Sequence, residues 1–408
     1  MTRVLRQTTR DLRRHNRAAL LSSLYLRGPV SRLELVAESG LSPATVTNVV
    51  AELIGDGVVA EAGSVESDGG RPRTLLRVRP EYGQVVGVDV GETHVRAGLF
   101  DCALGTLATV QHPLAGSNPD PAEVVELARA GVASVLSSGG ASRVLGVGVG
   151  VPGAVREGGI VHAPTLGWAG VAFADLLRAH PQFADAPLHL DNRARTLGQA
   201  EMWLGAGRGA DRAVIALLGV GVGAAFVTDG GSFPGITTSE WGHTVVQAAG
   251  AACRCGSRGC LEAYVGTEAV VRRYGETPGA QPLPGADSES RLAELVALAE
   301  AETETSPAER SGPAAETLAA TGEYLGIGIA NLINLLAPDR VVLAGSAGAI
   351  MGPAILPYVR DAAARHALGY LAEATVVELG ELGPEAVALG AATLPIAALL
   401  ASGGRSAG

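Results

Sequence analysis

The 408-residue sequence contains no lysine, so all 31 of its Lys+Arg residues are arginine. Cysteine is scarce as well, and a total of four excludes the disulfide framework of a small secreted protein. No apolar run reaches the length of a membrane helix; the best candidate, residues 387–401, is interrupted by Pro395, and we interpret it as a buried terminal helix. The arginine-rich start has no apolar signal region, which predicts a cytoplasmic protein without a membrane partner.

Charge is distributed unevenly along the chain, whose formal net charge is -10. Residues 1–80 hold 12 arginines against 8 acidic residues, whereas residues 81–408 hold 19 against 33. A basic front on an acidic body is typical of a nucleic-acid-binding module fused to a domain with another role. A solvated arginine face without a partner would give the same charge, so the local pattern must decide. The length also favours at least two domains.

Three helix signals follow one another near the start. Residues 13–27 place leucines on one face and are followed by a Gly-Pro pair. Ser31 and Glu34 form a capping box for a short helix that ends in Ser-Gly. Ser42 and Pro43 then supply the N-cap and the first residue of a third helix. Its buried face carries apolar residues at helical spacing, namely Val46, Val49, Val50 and Leu53.

The opposite face of the third helix carries small and polar side chains that can reach base edges and phosphates in a major groove. This pattern predicts a helix-turn-helix whose DNA-contacting residues are Ser42, Ala44, Thr45, Thr47 and Asn48. Residues 57–60 and 75–78 predict the two strands of a wing with a polar tip at residues 63–70. Arg71 and Arg73 follow this tip, where arginine can enter a narrow minor groove. For Arg71, an exposed turn residue without a partner is the alternative.

Short apolar strands that end in glycine turns fill the next part of the chain. Strands at 85–90 and 95–100 flank a Gly-Glu-Thr turn, and strands at 214–218 and 224–227 flank a turn of alternating glycine and valine at 219–223. Backbone N–H groups of such turns can bind phosphate, and two facing turns could hold a nucleotide. Each turn alone is a weak signal, because ordinary hairpins use glycine in the same way.

Two spaced motifs are more specific: E-W-G-H at residues 240–243 and C-R-C-G-S-R-G-C-L-E at residues 253–262. With these motifs the chain resembles the ROK family (repressor, open reading frame, kinase) over nearly its whole length. The resemblance implies an α/β chain with a two-lobed actin-like ATPase (sugar-kinase) fold at residues 81–408. An N-terminal all-helical or winged helix-turn-helix DNA-binding domain would occupy residues 1–80. It also implies a sugar-responsive regulator.

The cysteine-rich motif predicts a metal site. Cys253, Cys255 and Cys260 supply three thiolates and His243 supplies an imidazole, which is the closed ligand set of a structural Zn²⁺ site. Such an ion would hold the loop at residues 240–262, called here the zinc loop, and would leave no position open for catalysis. The alternative is three buried free thiols and a core histidine. Cys102 lies apart and is predicted to be buried.

The resemblance also assigns residues that contact sugar hydroxyls. Asn192, Glu240, His243 and Glu262 match the family positions. Carboxylates and an amide can exchange paired hydrogen bonds with adjacent hydroxyls, and a zinc-bound imidazole keeps its second ring nitrogen for another. A surface role without ligand remains an alternative for each of these residues singly.

Phosphoryl transfer is not expected, because three positions depart from the kinase pattern of the family. Arg193 stands where the kinases place the aspartate base of an N-D-A-N stretch, and a guanidinium cannot accept a proton at physiological pH. Glu92 replaces a glycine of the first phosphate turn, and Val220 replaces a threonine of the second. Asp89, the magnesium partner in the kinases, is retained. We therefore predict a binding domain rather than an enzyme.

Arg193 has two possible roles in a cleft that only binds. It could recognise an anionic ligand such as a sugar phosphate, since arginine forms paired hydrogen bonds with such groups. Alternatively it pairs with Glu240 or Glu262 and closes a site for a neutral sugar.

The leading hypothesis is a repressor of carbohydrate genes that is gated by a sugar or a sugar derivative. A homodimer or homotetramer would place two recognition helices in successive major grooves of double-stranded operator DNA. The rivals are an active sugar kinase with a DNA-binding arm and a zinc-responsive regulator. The closed ligand set counts against the second rival, because a tight site is a poor sensor of zinc.

Overall fold

The computed structural model describes residues 9–67, 70–114, 116, 118–140, 142–184, 186–228, 231–232, 240–305 and 312–405. Its first part, called here the head, is a three-helix unit with a small sheet. The elements of the head are α1 (Thr9–Arg27), β1 (Val30–Ser31), α2 (Arg32–Ser39), α3 (Pro43–Gly55), β2 (Val59–Ser67) and β3 (Gly70–Val78). The three strands form a sheet in the order β1-β3-β2.

The helix signals of the head are confirmed. Ser31 and Glu34 form the reciprocal capping box of α2, and Gly40 ends that helix in the left-handed conformation with φ 64°. The Ser42 hydroxyl accepts the Thr45 N–H at the start of α3. The apolar face of α3 is buried, and none of its four residues is more than 4% exposed: Val46, Val49, Val50 and Leu53.

The predicted wing is present, but the predicted position of its tip is wrong. Residues 63–70 are not a polar tip, because β2 continues to Ser67 and β3 begins at Gly70. The strands remain paired past Gly63 through a bulge, in which two residues of β2 lie opposite one residue of β3. Gly63 adopts the positive φ of 90° that the bulge requires. The turn residues 68–69 lie outside the described part of the chain.

The remainder forms two lobes around two five-stranded sheets. The first lobe contains β4 (Gln84–Val90), β5 (His94–Asp101), β6 (Thr106–Pro113), α4 (Pro121–Ser138), β7 (Val144–Val151), β8 (Ala154–Arg156), β9 (Ile160–Ala163), β10 (Trp168–Ala172), α5 (Phe173–Arg178), α6 (Pro181–Ala184) and β11 (Leu188–Asn192). Helix α7 (Arg193–Leu204) leads into the second lobe.

The second lobe has the larger helical layer. It contains β12 (Arg212–Leu218), β13 (Val222–Thr228), β14 (Gly231–Ser232), α8 (Glu262–Val265), α9 (Thr267–Glu276), α10 (Ser288–Thr305), α11 (Pro313–Leu336), β15 (Arg340–Ala344), α12 (Ser346–His366), α13 (Gly369–Ala374) and β16 (Val376–Leu379). The last helix, α14 (Ala386–Ala401), returns to the first lobe.

The two large sheets have the same topology. Their orders are β11-β7-β4-β5-β6 and β14-β13-β12-β15-β16. In the first sheet, β4 pairs antiparallel with β5, the strand that follows it, and parallel with the later strand β7. In the second sheet, β12 pairs in the same way, antiparallel with β13 and parallel with β15. The paired glycine turns of the sequence are therefore the first hairpin turns of two duplicated sheets, which is the actin-like sugar-kinase architecture.

Helix α14 is the buried terminal helix that the sequence predicts. The segment Gly383–Ala401 is long and apolar enough to cross a membrane, but 61% of it is buried, as in the core helix of a globular fold. Glycines of β4 and β7 let the helix approach the sheet closely. A Cβ added to Gly87 would lie 1.8 Å from the Ala388 carbonyl oxygen, and one added to Gly148 would lie 1.8 Å from the Ala391 carbonyl oxygen.

The close approach makes Gly148 a testable position. Because a Cβ there would collide with helix backbone, we expect Gly148→Ala to lower the free energy of unfolding by about 3 kcal/mol. Gly275→Ala is the matched control, since Gly275 lies in α9 with nothing within 4 Å of an added Cβ. Thermal melts of the two variants should separate clearly. Equal melting temperatures would contradict the close packing of α14.

Candidate ligand cleft, metal cluster and DNA-binding face

The two hairpin turns face one cleft between the lobes. The cleft has about 770 Å³ of empty space, part of it open to solvent. The turn after β4 contributes Glu92 and Thr93, and the turn after β12 contributes residues 219–221. All five residues predicted to bind a ligand also line this cleft: Asn192, Arg193, Glu240, His243 and Glu262.

Arg193, the first residue of α7, is held by two carboxylates of the first hairpin. Its Nε lies 2.6 Å from Asp89 Oδ1 and its Nη2 lies 3.2 Å from Asp89 Oδ2. Its Nη1 lies 2.7 Å from Glu92 Oε2. The side chains of all three residues are at most 12% exposed. Two of the departures from the kinase pattern, at positions 92 and 193, are therefore partners in one buried ion cluster.

The cluster shifts the pKa values of Asp89 and Arg193. Burial by itself would raise the pKa of Asp89, but the charges and hydrogen bonds of Arg193 and His94 lower it to about 2. Burial would likewise lower the pKa of Arg193, and the charges of Asp89 and Glu92 raise it above its ordinary value. The alternative role of Arg193, pairing with Glu240 or Glu262, is wrong, because its partners are Asp89 and Glu92. Because its donors are already engaged by Asp89 and Glu92, Arg193 is also poorly suited to bind an anionic ligand.

A second ion pair links the zinc loop to the second hairpin turn. Arg254 Nε donates to Glu262 Oε1 at 2.8 Å, and Arg254 Nη2 donates to the Val220 carbonyl at 2.8 Å. The Val222 N–H donates to the other oxygen of Glu262 at 3.0 Å. This ion pair and the cluster of Arg193 approach each other at Gly221. A Cβ added to Gly221 would lie 3.1 Å from Glu92 Oε1 and 3.4 Å from Glu262 Oε2.

Sequence reasoning did not single out Arg254. The signal was its place between Cys253 and Cys255, where two metal ligands would fix the backbone on either side. A second residue that was missed is Thr165, in the turn between β9 and β10. Its hydroxyl is buried at the cleft wall and has no hydrogen-bond partner within the described part of the chain.

The residues predicted to contact sugar differ in how far they are already committed. The Asn192 amide caps α7 by accepting the Ala194 N–H at 2.8 Å, and it donates to the Gly153 carbonyl at 2.6 Å. Glu262 is 5% exposed, and its carboxylate accepts two hydrogen bonds. Glu240 is exposed at the cleft mouth. Each carboxylate oxygen retains a second lone pair, so both glutamates can still accept sugar hydroxyls.

The predicted metal ligands form one cluster. The ligand atoms of His243, Cys253, Cys255 and Cys260 all lie within 4.8 Å of one another. Cys253 Sγ is 3.6 Å from His243 Nδ1, and Cys255 Sγ is 3.7 Å from Cys260 Sγ. A tetrahedral zinc ion with bonds of about 2.0 to 2.3 Å requires ligand separations of about 3.5 to 3.8 Å, so the donors fit a metal ion. Cys102 lies apart, and burial raises the pKa of its thiol to about 12.

Most of the residues predicted to contact DNA lie on one exposed surface of α3. Ser42, Ala44, Thr47 and Asn48 are exposed and Thr45 is half-buried, with the Ser42 and Thr45 hydroxyls 2.9 Å apart. Arg73 is exposed on β3.

Glu52, also on α3, does not share this surface, because Arg13 and Arg17 of α1 bind its carboxylate. Arg71 lies within β3, but its side chain is outside the described part of the structure.

The chain combines a sugar-kinase scaffold with a helix-turn-helix head, which is a candidate DNA-binding unit. The scaffold consists of two duplicated lobes with a cleft between their hairpin turns. The ROK family model matches residues 85–398, and the chain belongs to the ROK family. It is 25% identical to the xylose repressor of Caldicellulosiruptor bescii over 95% of this chain and 97% of that protein. It is 30% identical to a glucokinase of Halalkalibacterium halodurans over 75% of this chain and 92% of that protein.

The fold of the full chain also matches a solved structure. A ROK family transcriptional regulator, a homologue of the E. coli MLC protein, superposes with a TM-score of 0.73 over 96% of this chain and 98% of that chain. Its sequence identity is 23%, so the likeness concerns the fold. The match covers the head as well as both lobes.

The buried cluster predicts a pH-dependent loss of stability in Arg193→Met. Without the guanidinium, the buried Asp89 carboxylate keeps only His94 of the two groups that lower its pKa, so burial dominates and the pKa rises above its ordinary value of about 3.9. The loss should be about 3 kcal/mol at pH 7 and should shrink as the pH falls towards 4, because protonation removes the buried charge. Thermal melts between pH 4 and 8 measure it.

Arg195→Met is the control for this variant, since Arg195 lies on the same helix and its Nε is 3.5 Å from Asp191 in a more exposed pair. A loss in Arg193→Met that is independent of pH, or equal to that of the control, would contradict the role of the Asp89 charge.

Proposed function

We propose that the protein is a DNA-binding repressor of carbohydrate genes whose affinity for its operator changes when a sugar binds between the lobes. The observation that carries the proposal is the coexistence of a helix-turn-helix head with a sugar-kinase cleft whose base position is filled by Arg193. Full-length similarity to a xylose repressor supports it. The recognition surface would be the exposed side of α3, and the wing arginines would contact the DNA backbone or minor groove.

An enzymatic role is disfavoured by the chemistry of the cleft. Arg193 cannot act as the base, and it neutralises Asp89, the carboxylate that would otherwise attract a magnesium ion. Glu92 places a further carboxylate at the first phosphate turn. At the second turn, the Val220 carbonyl and Arg254 bond to each other. We infer that the cleft binds a sugar without transferring phosphate to it.

The charge of the cleft favours an uncharged effector. Five carboxylates lie in or beside it, against the two guanidiniums of Arg193 and Arg254: Asp89, Glu92, Glu240, Glu262 and Glu289. A phosphate or a carboxylate on the ligand would meet net negative charge in a partly desolvated space. We therefore propose a neutral, hydroxyl-rich ligand, contacted by Glu240, Glu262 and the Thr165 hydroxyl, in place of the anionic ligand considered from the sequence.

We further propose that the Cys/His cluster holds a structural zinc ion. His243 Nδ1 lies on the side of the thiols, which leaves Nε2 for a ligand hydroxyl. The ion would fix Arg254, which lies between two of its ligands, and through Arg254 the orientation of Glu262. Its contribution is therefore the shape of the sugar site.

Repression would require two heads on one DNA molecule. We propose that a homodimer, alone or paired into a tetramer, places two copies of α3 one helical turn apart on a palindromic operator.

The zinc proposal predicts about one zinc ion per chain by elemental analysis of protein purified without chelator. Cys260→Ser should lose most of the metal and lower the melting temperature. Cys102→Ser, which also removes a buried thiol, should retain the metal in full. Equal zinc content in wild type and Cys260→Ser would contradict the assignment.

The repressor proposal predicts that a sugar changes the affinity of the protein for DNA. A duplex selected by the full-length protein from a random-sequence library serves as the DNA probe, and D-xylose, D-glucose and N-acetylglucosamine serve as ligand probes. At least one sugar should weaken DNA binding by about fivefold or more in a fluorescence anisotropy assay.

Two variants test DNA binding and sugar binding separately. Asn48→Ala should weaken DNA binding about tenfold and leave sugar binding intact. Glu240→Gln should weaken sugar binding and leave DNA binding by the sugar-free protein intact. Failure of the wild-type protein to select any duplex would overturn the proposal.

A further inference from the structure

The head does not have a hydrophobic core of its own. Leu20, Leu21 and Leu24 of α1 belong to one continuous buried cluster with Trp203 of α7 and Leu400 of α14. The same cluster contains the inner faces of both large sheets, whereas the outer layers of the two lobes form separate clusters. The head therefore shares its core with the junction between the lobes.

Helices α7 and α14 form this junction. They meet where a Cβ added to Gly390 would lie 2.1 Å from the Thr196 carbonyl oxygen. Helix α14 packs on the first sheet through Gly87 and Gly148. Helix α7 packs on the second sheet, where a Cβ added to Gly198 would lie 2.6 Å from the Ala225 Cβ. A change in the angle between the lobes must move one of these helices relative to the other.

Helix α7 also connects the ligand cleft to the head. Its N-cap, Asn192, and its first residue, Arg193, line the cleft. Its last turn carries Trp203, about 15 Å further along the axis at 1.5 Å per residue. The Trp203 ring contacts the Tyr25 ring of α1 edge to face, with centroids 5.7 Å apart and planes at 62°.

Tyr25 touches the first lobe as well. Its hydroxyl donates to the Cys102 carbonyl at 3.0 Å, directly after β5. Burial raises the pKa of this hydroxyl, so it remains a donor. One side chain of the head thus bridges a fixed point of the first lobe and the far end of the helix that begins in the cleft.

An earlier turn of α1 is attached to the segment that follows α14. Arg17, whose side chain is 2% exposed, donates to the Gly403 carbonyl and binds Asp56 at the end of α3 at 2.5 Å. Tyr82 donates to the Gly404 carbonyl at 3.0 Å. The Arg17 bond to Gly403 holds the head on the segment after α14, and the Tyr82 bond ties the segment after the head to the same place. The Trp203 contact is therefore the one that can shift when α7 moves.

We propose that Tyr25 is the residue through which closure of the cleft reaches the DNA-binding head, by its simultaneous contacts with Trp203 and Cys102. The inference rests on the proposed repressor function. It assigns the coupling to the last turn of α7, and it makes Tyr25 a positioning residue that contacts neither sugar nor DNA.

The experiment measures the coupling ratio, which is the DNA dissociation constant with sugar divided by that without. Full-length wild type, Tyr25→Phe, Trp203→Leu and the double variant are compared, with the selected duplex and whichever of D-xylose, D-glucose and N-acetylglucosamine acts on wild type. Tyr82→Phe is the matched control, because it also removes one tyrosine hydroxyl bond to a backbone carbonyl, but that bond joins the segment after the head to Gly404, just after α14. Sugar affinity is measured separately by calorimetry.

We expect the ratio to fall about threefold or more in Tyr25→Phe and in Trp203→Leu, with sugar affinity unchanged. The double variant should be no worse than the worse single variant, because both changes break one bridge. Tyr82→Phe should keep the wild-type ratio. A wild-type ratio in Tyr25→Phe, or an equal fall in Tyr82→Phe, would overturn the inference.

Two outcomes keep this test separate from that of the proposed function. If wild type shows no sugar effect with any of the three sugars, the repressor proposal fails, and this inference fails with it. If wild type responds and the Tyr25 variant responds equally, only the inference fails. Should Trp203→Leu not fold, as judged by circular dichroism, the comparison of Tyr25→Phe with Tyr82→Phe decides alone.

Discussion

The buried pairing of Arg193 with Asp89 and Glu92 is the constraint on which the character of the cleft depends. A guanidinium that is 11% exposed needs its charge balanced, and the two carboxylates of the first hairpin supply that balance. The same pairing engages Asp89, and Arg193 stands at the position where the resemblance to the kinases places the base. One interaction therefore stabilises the start of α7 and supports the proposal that the cleft binds a sugar without transferring phosphate to it.

A second ion pair lies in the rest of the cleft, where we propose that the sugar binds. The zinc loop contributes Arg254, which ties the Val220 carbonyl to Glu262, so the second phosphate turn is also occupied by the protein itself. Glu240, His243 and Thr165 line the remaining part of the cleft, and we propose that sugar hydroxyls bind there.

The fold could be predicted from the sequence where local signals are strong. Capping residues placed the starts of α2 and α3 correctly, and glycine turns placed the paired hairpins. The wing tip was misplaced because Gly63 reads as a turn residue, although its positive φ serves a bulge inside the strand pair. Local composition cannot distinguish these two uses of glycine.

In the cleft, residue types were predicted better than partners. The Cys/His cluster follows from spacing alone, because its residues lie on one short loop. The partners of Arg193 could not be found in this way, since Asp89 is 104 positions away and faces it only when β4 and α7 meet. The contact of Tyr25 with Trp203 is equally remote in sequence and depends on the junction of the head with both lobes.

The most direct test of the central claim is titration of the protein with Mg·ATP in the presence of D-glucose, followed by calorimetry and by assay for phosphorylated sugar. We predict no binding of Mg·ATP and no product for wild type, and recovery of nucleotide binding in the double variant Glu92→Gly/Arg193→Asp. Tight Mg·ATP binding with sugar phosphorylation by the wild-type protein would contradict the account.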